Sequence, residues 1–116
     1  FVLTKGLDGC LFVYDLEQWQ LLEAKLNSLP MTRKGARDFN RFFFGGAAEG
    51  ECDKQGRVLL PVNLREFAGL DKNAVIVGVG NRAEIWDAER WNAYNEENAE
   101  DVGELAEQLA DLDLGI

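Results

Sequence analysis

The sequence contains no histidine among its 116 residues. Histidine is the usual general base of enzymes, the partner of a catalytic serine or cysteine, and the commonest zinc ligand. The glycine-rich signatures of phosphate-binding loops and the paired-cysteine CxxC motif are also missing. Carboxylates are plentiful, but nothing in their spacing indicates an acid–base pair in a pocket. We therefore predict that the protein is not an enzyme and uses no metal or cofactor.

Long apolar runs and export signals are lacking as well. No apolar run reaches the roughly 18 residues of a membrane span, and no positively charged start leads into a short apolar segment. The two cysteines, Cys10 and Cys52, stand singly on strand-like segments and are predicted to be buried and reduced. These features predict a cytoplasmic protein of one domain, since 47% apolar content suffices for a core.

Basic residues are lacking from the end of the chain. Of the 21 acidic residues, eight lie within residues 96–113, which leaves 13 acidic against 12 basic residues in residues 1–95. The formal net charge of -9 therefore belongs mostly to an acidic C-terminal helix or tail, residues 96–116. Leu105, Leu109 and Leu112 have helical spacing there. This segment is either an amphipathic helix that lies in a partner protein's groove, as in an antitoxin-like interaction module, or a weakly packed or disordered C-terminal helix.

The chain contains an internal repeat. Residues 6–19, GLDGCLFVYDLEQW, align without a gap on residues 78–91, GVGNRAEIWDAERW, at a shift of 72 residues. Both copies predict a strand, a tight turn, a second strand, a capping aspartate and a helix. Asp8-Gly9 and Gly80-Asn81 are typical of hairpin turns, and Asp15 and Asp87 are predicted N-caps. Six matches at equivalent structural positions indicate a duplication.

The second copy begins with an additional hairpin. Residues 51–53 are predicted to form a strand, residues 54–56 a turn, and residues 57–60 the return strand. Pro61 then opens a short helix with an apolar side at Leu64, Phe67 and Ala68, which Gly69 ends. Residues 75–79 are the next strand. The first copy is expected to have the same hairpin and helix. The sequence begins at Phe1, however, which already belongs to the first copy's counterpart of the strand at residues 75–79. We therefore expect that part of the first copy is truncated or lies ahead of this sequence.

The hairpin tip is cationic, at Lys54 and Arg57. A β-hairpin is narrow enough to enter the major groove, where arginine can bond guanine bidentately and lysine supplies a mobile charge. The alternative is that Asp53 and Arg57 form an ordinary hairpin salt bridge. Both roles are compatible, because Asp53 can orient Arg57.

A second helix is predicted between the copies, within residues 30–47. Thr32 is its predicted cap, Ala36, Phe39 and Phe43 its buried face, and Gly45-Gly46 its end. The aromatic run Phe42, Phe43, Phe44 is predicted to enter the core rather than to stack on bases. The helix carries four basic side chains that are candidates for phosphate contacts, a solvated face, or pairing with an acidic neighbour: Arg33, Lys34, Arg37 and Arg41.

Residues 53–65, DKQGRVLLPVNLR, resemble the MraZ family of transcriptional regulators, whose barrel is of the swapped-hairpin AbrB and MazE type. The hallmark DxxxR is present as Asp53 and Arg57, and the similarity also covers GLDGCLFVY, LPMTRKGARDF, RFFFGGA and NRAEIW. The resemblance implies an α+β fold, a double-split swapped-hairpin β-barrel of two AbrB-like half-repeats flanked by helices. On this basis residues 1–47 are the incomplete first repeat with its connecting helix, and residues 48–95 the second.

The resemblance also implies a function. Family members form ring-like homo-oligomers whose hairpins bind tandem operator boxes in double-stranded DNA upstream of the division and cell-wall gene cluster. Lys54, Gln55 and Arg57 would then contact DNA, while Asp53 and Gly56 would brace the turn. A cytoplasmic, nucleoid-associated protein is expected. The family carries two DxxxR hairpins per chain, whereas this sequence holds one, which leaves an edge that another chain could fill.

Overall fold

The computed structural model describes residues 1–112 and has an α+β fold, as predicted. Five strands form one antiparallel sheet, and helices pack against it. The strands are β1 (Val2–Lys5), β2 (Leu11–Tyr14), β3 (Ala48–Glu49), β4 (Ala74–Val79) and β5 (Arg82–Asp87). The helices are α1 (Leu16–Asn27), α2 (Lys34–Gly45), α3 (Val62–Phe67), α4 (Ala88–Asn98) and α5 (Val102–Gln108), followed by a 3-10 turn at Ala110–Leu112. This architecture is consistent with the swapped-hairpin fold.

The sheet order reflects the duplication. The strands lie in the order β3-β1-β2-β5-β4, so the β1–β2 hairpin of one copy meets the β5–β4 hairpin of the other. At this junction Phe12 pairs with Glu84, and these two residues are equivalent under the 72-residue shift. Leu11 pairs with Ile85, and Val13 pairs with Ala83. Under the same shift Leu11 is equivalent to Ala83 and Val13 to Ile85, so the shift converts one pair into the other. The two copies are therefore related by a local pseudo-twofold axis through the Phe12–Glu84 pair.

The two hairpin turns lie where the sequence predicts them but differ in length. Lys5 pairs with Leu11, which leaves residues 6–10 as a loop. In that loop Asp8 and Gly9 both have positive φ, at 66° and 80°. In the second copy Val79 pairs directly with Arg82, which leaves only Gly80-Asn81 as the turn.

Two of the three predicted caps are confirmed. The carboxylate of Asp15 accepts a hydrogen bond from the Gln18 amide at 2.7 Å, and that of Asp87 accepts one from the Arg90 amide at 3.2 Å. The prediction for Thr32 is wrong. Helix α2 begins one residue later than that cap requires. Its N-cap is Arg33, and no side chain of the described residues caps it. The basic residues at its start therefore meet the positive end of the helix dipole without a compensating cap.

The core has two parts, one on each face of the sheet. Helix α3 contributes its buried residues to one face, and the aromatic residues of α1, α2 and α4 cover the other. The first face buries Leu3, Leu11, Leu64, Ala68 and Ile85; the second buries Cys10, Phe12, Tyr14, Phe43 and Trp86. The predicted burial of Cys10 is confirmed. Cys52 is exposed, contrary to prediction, because it lies on the hairpin outside both clusters.

Helix α2 packs by one side, and its predicted end is confirmed at Gly45-Gly46. Phe43 is buried and stacks on Trp19 with ring centroids 5.5 Å apart. Phe42 and Phe44 are half-buried against the same cluster, so the run enters the core as predicted. Phe39 is 36% exposed, contrary to prediction, because its stacking on Phe43 at 5.6 Å and its contact with Phe42 at 6.4 Å cover only part of the ring.

The acidic segment lies mostly in helices. Helix α4 runs to Asn98 and α5 follows, but Leu105, Leu109 and Leu112 remain exposed within residues 1–112. The acidic residue Asp113 and the remainder of the predicted tail, residues 113–116, lie outside the described residues. None of the helices in the described range is both long enough and apolar enough to cross a membrane.

Candidate nucleic-acid interface

The DxxxR motif forms a closed turn organised by Asp53. Its backbone N–H donates to the Arg57 carbonyl at 2.8 Å, and its carbonyl accepts from the Gly56 N–H at 3.0 Å. Its carboxylate oxygen Oδ1 accepts from the amides of Gln55 and Arg57 at 2.8 and 2.9 Å. One aspartate therefore fixes both ends of the turn.

Two residues suit this turn for local reasons. Aspartate readily accepts hydrogen bonds from backbone amides two residues on, and Gly56 supplies the positive φ of 77° that closes the turn. The bonds from the Arg57 and Gln55 amides and from the Arg57 side chain lower the pKa of Asp53. Its carboxylate therefore stays charged, which the brace requires.

Asp53 also orients Arg57. Its second oxygen, Oδ2, accepts from Arg57 Nε at 3.0 Å, with the two side chains 46% and 74% exposed. Within residues 1–112 the terminal nitrogens Nη1 and Nη2 of Arg57 have no hydrogen-bond partner. A guanidinium held at Nε presents its terminal pair outward, and such a pair can meet a guanine edge or a phosphate.

Lys54 and Gln55 complete the cationic tip. Both are exposed, and neither side chain has a hydrogen-bond partner in the part of the chain that the structure describes. The tip therefore offers an ammonium, an amide and a guanidinium to solvent, with Asp53 as its only carboxylate. The structure brings together all five sequence-predicted residues of the motif: Asp53, Lys54, Gln55, Gly56 and Arg57.

The predicted strands on either side of the tip are not formed. The segments pair through a single bridge between Cys52 and Val58, and no regular strand occurs within residues 51–60. A two-stranded ribbon without a third strand is marginally stable, which accounts for the short pairing. The return segment nevertheless leads into α3 as predicted, with Pro61 immediately before the helix and Gly69 ending it at a φ of 63°.

The root of the hairpin lies over an apolar groove of the sheet. The groove has a volume of about 320 Å³, and its lining includes Phe1, Leu3, Val58, Leu60, Ile76 and Ile85. Ile76 is 71% exposed, and Leu59 on the hairpin is 90% exposed. This side of the molecule therefore leaves apolar surface uncovered beside the cationic tip.

The cations of helix α2 are not joined to the tip by any hydrogen bond or ion pair within residues 1–112. Asp38 accepts from Lys34 at 2.6 Å and lies 3.5 Å from Arg41, so one carboxylate serves two exposed cations. Arg37 donates through Nη1 to the Met31 carbonyl at 2.9 Å. The remaining member of the set, Arg33, is exposed at the start of the helix.

Sequence reasoning missed a polar cluster at the junction of the two copies. Glu84 accepts from Arg82 at 3.1 Å and from the Trp86 indole N–H at 3.1 Å, while the Arg82 guanidinium lies 4.3 Å from the Phe12 ring centroid. Burial raises the pKa of the neighbouring Cys10 thiol to about 12, and the negative charges of Glu84 and Asp8 add to this rise. The repeat alignment contains a signal for this cluster, because it aligns Phe12 with Glu84. The contacts themselves follow only from the pairing of β2 with β5.

These observations define a class: a duplicated α+β protein that presents a cationic, aspartate-braced turn above an open sheet. The family model described as "MraZ protein, putative antitoxin-like" matches residues 1–42 and 43–113. The chain belongs to the MraZ family.

The curated relatives bear the same name. This chain is 60% identical over 116 residues to a protein named transcriptional regulator MraZ from Pelotomaculum thermopropionicum, and the match covers 100% of this chain and 80% of that protein. The namesake from Heliobacterium modesticaldum is 60% identical over 114 residues, or 98% of this chain and 80% of that protein. The namesake from Syntrophomonas wolfei is 56% identical over 112 residues, which cover 97% of this chain and 78% of that protein.

Proposed function

We propose that this protein is a DNA-binding transcriptional regulator whose contact with double-stranded DNA is made by the hairpin tip. The observation that carries the proposal is the braced turn, in which Asp53 holds Arg57 by Nε and leaves its two terminal nitrogens facing solvent. The names of the relatives at 56–60% identity support a role in transcription. The proposal gives the protein no catalytic step.

The physical reason lies in the geometry of the tip. Arg57 bonds a guanine edge bidentately in the major groove, while Lys54 and Gln55 contact phosphates or neighbouring base edges. Asp53 keeps the guanidinium in place, so little side-chain entropy is lost on binding. The tip alone makes few contacts and binds weakly.

Repetition supplies the remaining affinity. We propose that copies of the chain associate in a ring and present several hairpins to tandem boxes upstream of the division and cell-wall gene cluster, as the family resemblance implies. Each further hairpin binds at a high effective concentration once the first has bound. The uncovered apolar side chains Leu59 and Ile76 support self-association. Such a protein works in the cytoplasm, associated with the nucleoid.

Fluorescence anisotropy tests the proposal. A labelled duplex from upstream of the source organism's division and cell-wall gene cluster is titrated with protein and compared with coding DNA of equal length. We expect tighter binding to the upstream duplex, weakened by salt in proportion to the phosphates contacted. Equal affinity for both duplexes, or affinity that ignores salt, would overturn the proposal.

A further inference from the structure

Helix α5 presents an apolar stripe that nothing covers within residues 1–112. Val102, Leu105 and Leu109 recur at helical spacing and are 62%, 44% and 45% exposed. The helix has no buried residue. A one-sided apolar helix in a folded protein normally packs against something, so this face is suited to docking.

The charge around the stripe restricts its partner. Residues 96–112 include seven acidic side chains and no basic one. None of these carboxylates forms an ion pair within the described part of the chain. An acidic surface with an apolar stripe favours a partner that is cationic and carries exposed apolar side chains of its own.

The protein itself has such a surface, which we call the α2 surface. It comprises Leu29, Met31, Arg33, Lys34, Arg37 and Arg41. Met31 is 80% and Leu29 38% exposed, and Arg37 fixes the Met31 carbonyl to the helix at 2.9 Å. Asp38 is the one carboxylate among the four cations, so the surface keeps an excess of positive charge.

The elements that lead to the two surfaces pack on different strands of the sheet. Helix α2 packs on β1, whereas α4, which leads into α5, packs on β4 and β5. The order β3-β1-β2-β5-β4 separates β1 from β4 by three strand spacings, or about 14 Å. Two different complementary surfaces on one chain pair head to tail between copies, and such heterologous contacts form a ring when the rotation between neighbours closes.

We propose that α5 of one copy docks on the α2 surface of the next copy. The apolar stripe then covers Leu29, Met31 and the aliphatic stems of the basic side chains, while Asp101, at the edge of the stripe, meets the α2 cations. The inference rests on the self-association in the proposed function and identifies surfaces that carry it. The α2 cations are then engaged between subunits rather than on phosphates.

Charge-reversal variants whose molar mass is measured by light scattering test this docking. In the first variant Asp101→Lys reverses the charge at the edge of the stripe. A matched control, Glu107→Lys, makes the same change in charge on the opposite face of α5. In the second variant Lys34→Glu and Arg41→Glu reverse the α2 surface. We expect both interface variants to lose molar mass relative to the parent, while the control keeps the parent mass.

Recovery of the parent molar mass excludes misfolding as the cause of its loss in the interface variants. A 1:1 mixture of the two interface variants, and a chain carrying all three interface changes, should both regain the parent mass. A monomeric parent, an equal effect of the control, or no recovery in the mixture would overturn the docking. The docking would also be overturned if the Lys34→Glu, Arg41→Glu variant kept the parent mass but bound a single-box duplex more weakly, since the α2 surface would then contact phosphate. DNA binding that depends on Arg57 would survive these failures and keep the proposed function.

Discussion

Replacing Arg57 by alanine removes the group on which the DNA contact depends. Within residues 1–112 the guanidinium is exposed and hydrogen-bonded only at Nε, so the substitution leaves the core intact. A bidentate arginine–guanine contact contributes about 1–3 kcal/mol, which corresponds to roughly a 5- to 150-fold loss of affinity for one hairpin. On tandem boxes the loss is larger, because each engaged hairpin loses its contact.

Two further variants separate geometry from charge. Arg57→Lys keeps the positive charge but lacks the planar fork, so we expect it to bind almost as poorly as Arg57→Ala at the guanine position. Arg65→Ala removes the same charge from an exposed position of helix α3, outside the tip at residues 53–57, and should change affinity little.

The assay is fluorescence anisotropy of a labelled duplex at several salt concentrations, with thermal unfolding as the check on folding. If Arg57→Ala binds within about twofold of the parent, or no more weakly than Arg65→Ala, the contact does not exist. If Arg57→Lys binds like the parent, the side chain acts as a point charge and the bidentate geometry is wrong.

Three further predictions concern the hairpin and the core. A thiol reagent should label Cys52 rapidly and Cys10 only on unfolding, because Cys10 is buried with a pKa of about 12; bound DNA should slow the labelling of Cys52. Phe43→Ala should lower the free energy of unfolding by about 3–5 kcal/mol in a urea titration, and an unchanged midpoint would contradict the core assignment. The folded-state pKa of Asp53 is lowered, so its brace is intact above the ordinary aspartate range and is lost as the pH falls through the lowered pKa. Amide signals of Gln55 and Arg57 followed by NMR should change together at that acidic pH and stay constant near neutrality.

Local chemistry was predictable from the sequence. The hairpin turns, the caps at Asp15 and Asp87, the glycine that ends α3 and the braced DxxxR turn depend on neighbours within a few residues. The repeat showed the hairpin turns and the aspartate caps twice. Each of these features could therefore be deduced from side-chain type and spacing alone.

Long-range packing was not predictable. The exposure of Cys52 and the lack of regular strands beside the tip depend on which elements cover the hairpin, which the alternation of side chains does not encode. The cap at Thr32 failed because Thr32 lies in a turn closed by the hydrogen bond from the Arg33 N–H to the Pro30 carbonyl at 3.1 Å, so the helix begins only at Lys34. The cluster around Glu84 needed the pairing of β2 with β5, which links residues 72 positions apart.

Directed cleavage of DNA from the hairpin tests the central proposal most directly. An iron chelate attached to the exposed thiol of Cys52 generates hydroxyl radicals beside the tip, while buried Cys10 stays unmodified. We predict cuts at every box of a tandem duplex, repeated with the spacing of the boxes. A chelate on Arg65→Cys in a Cys52→Ser background should cut weakly. Cleavage that is absent from Cys52, or stronger from position 65, would contradict the proposal that the hairpin tip contacts DNA.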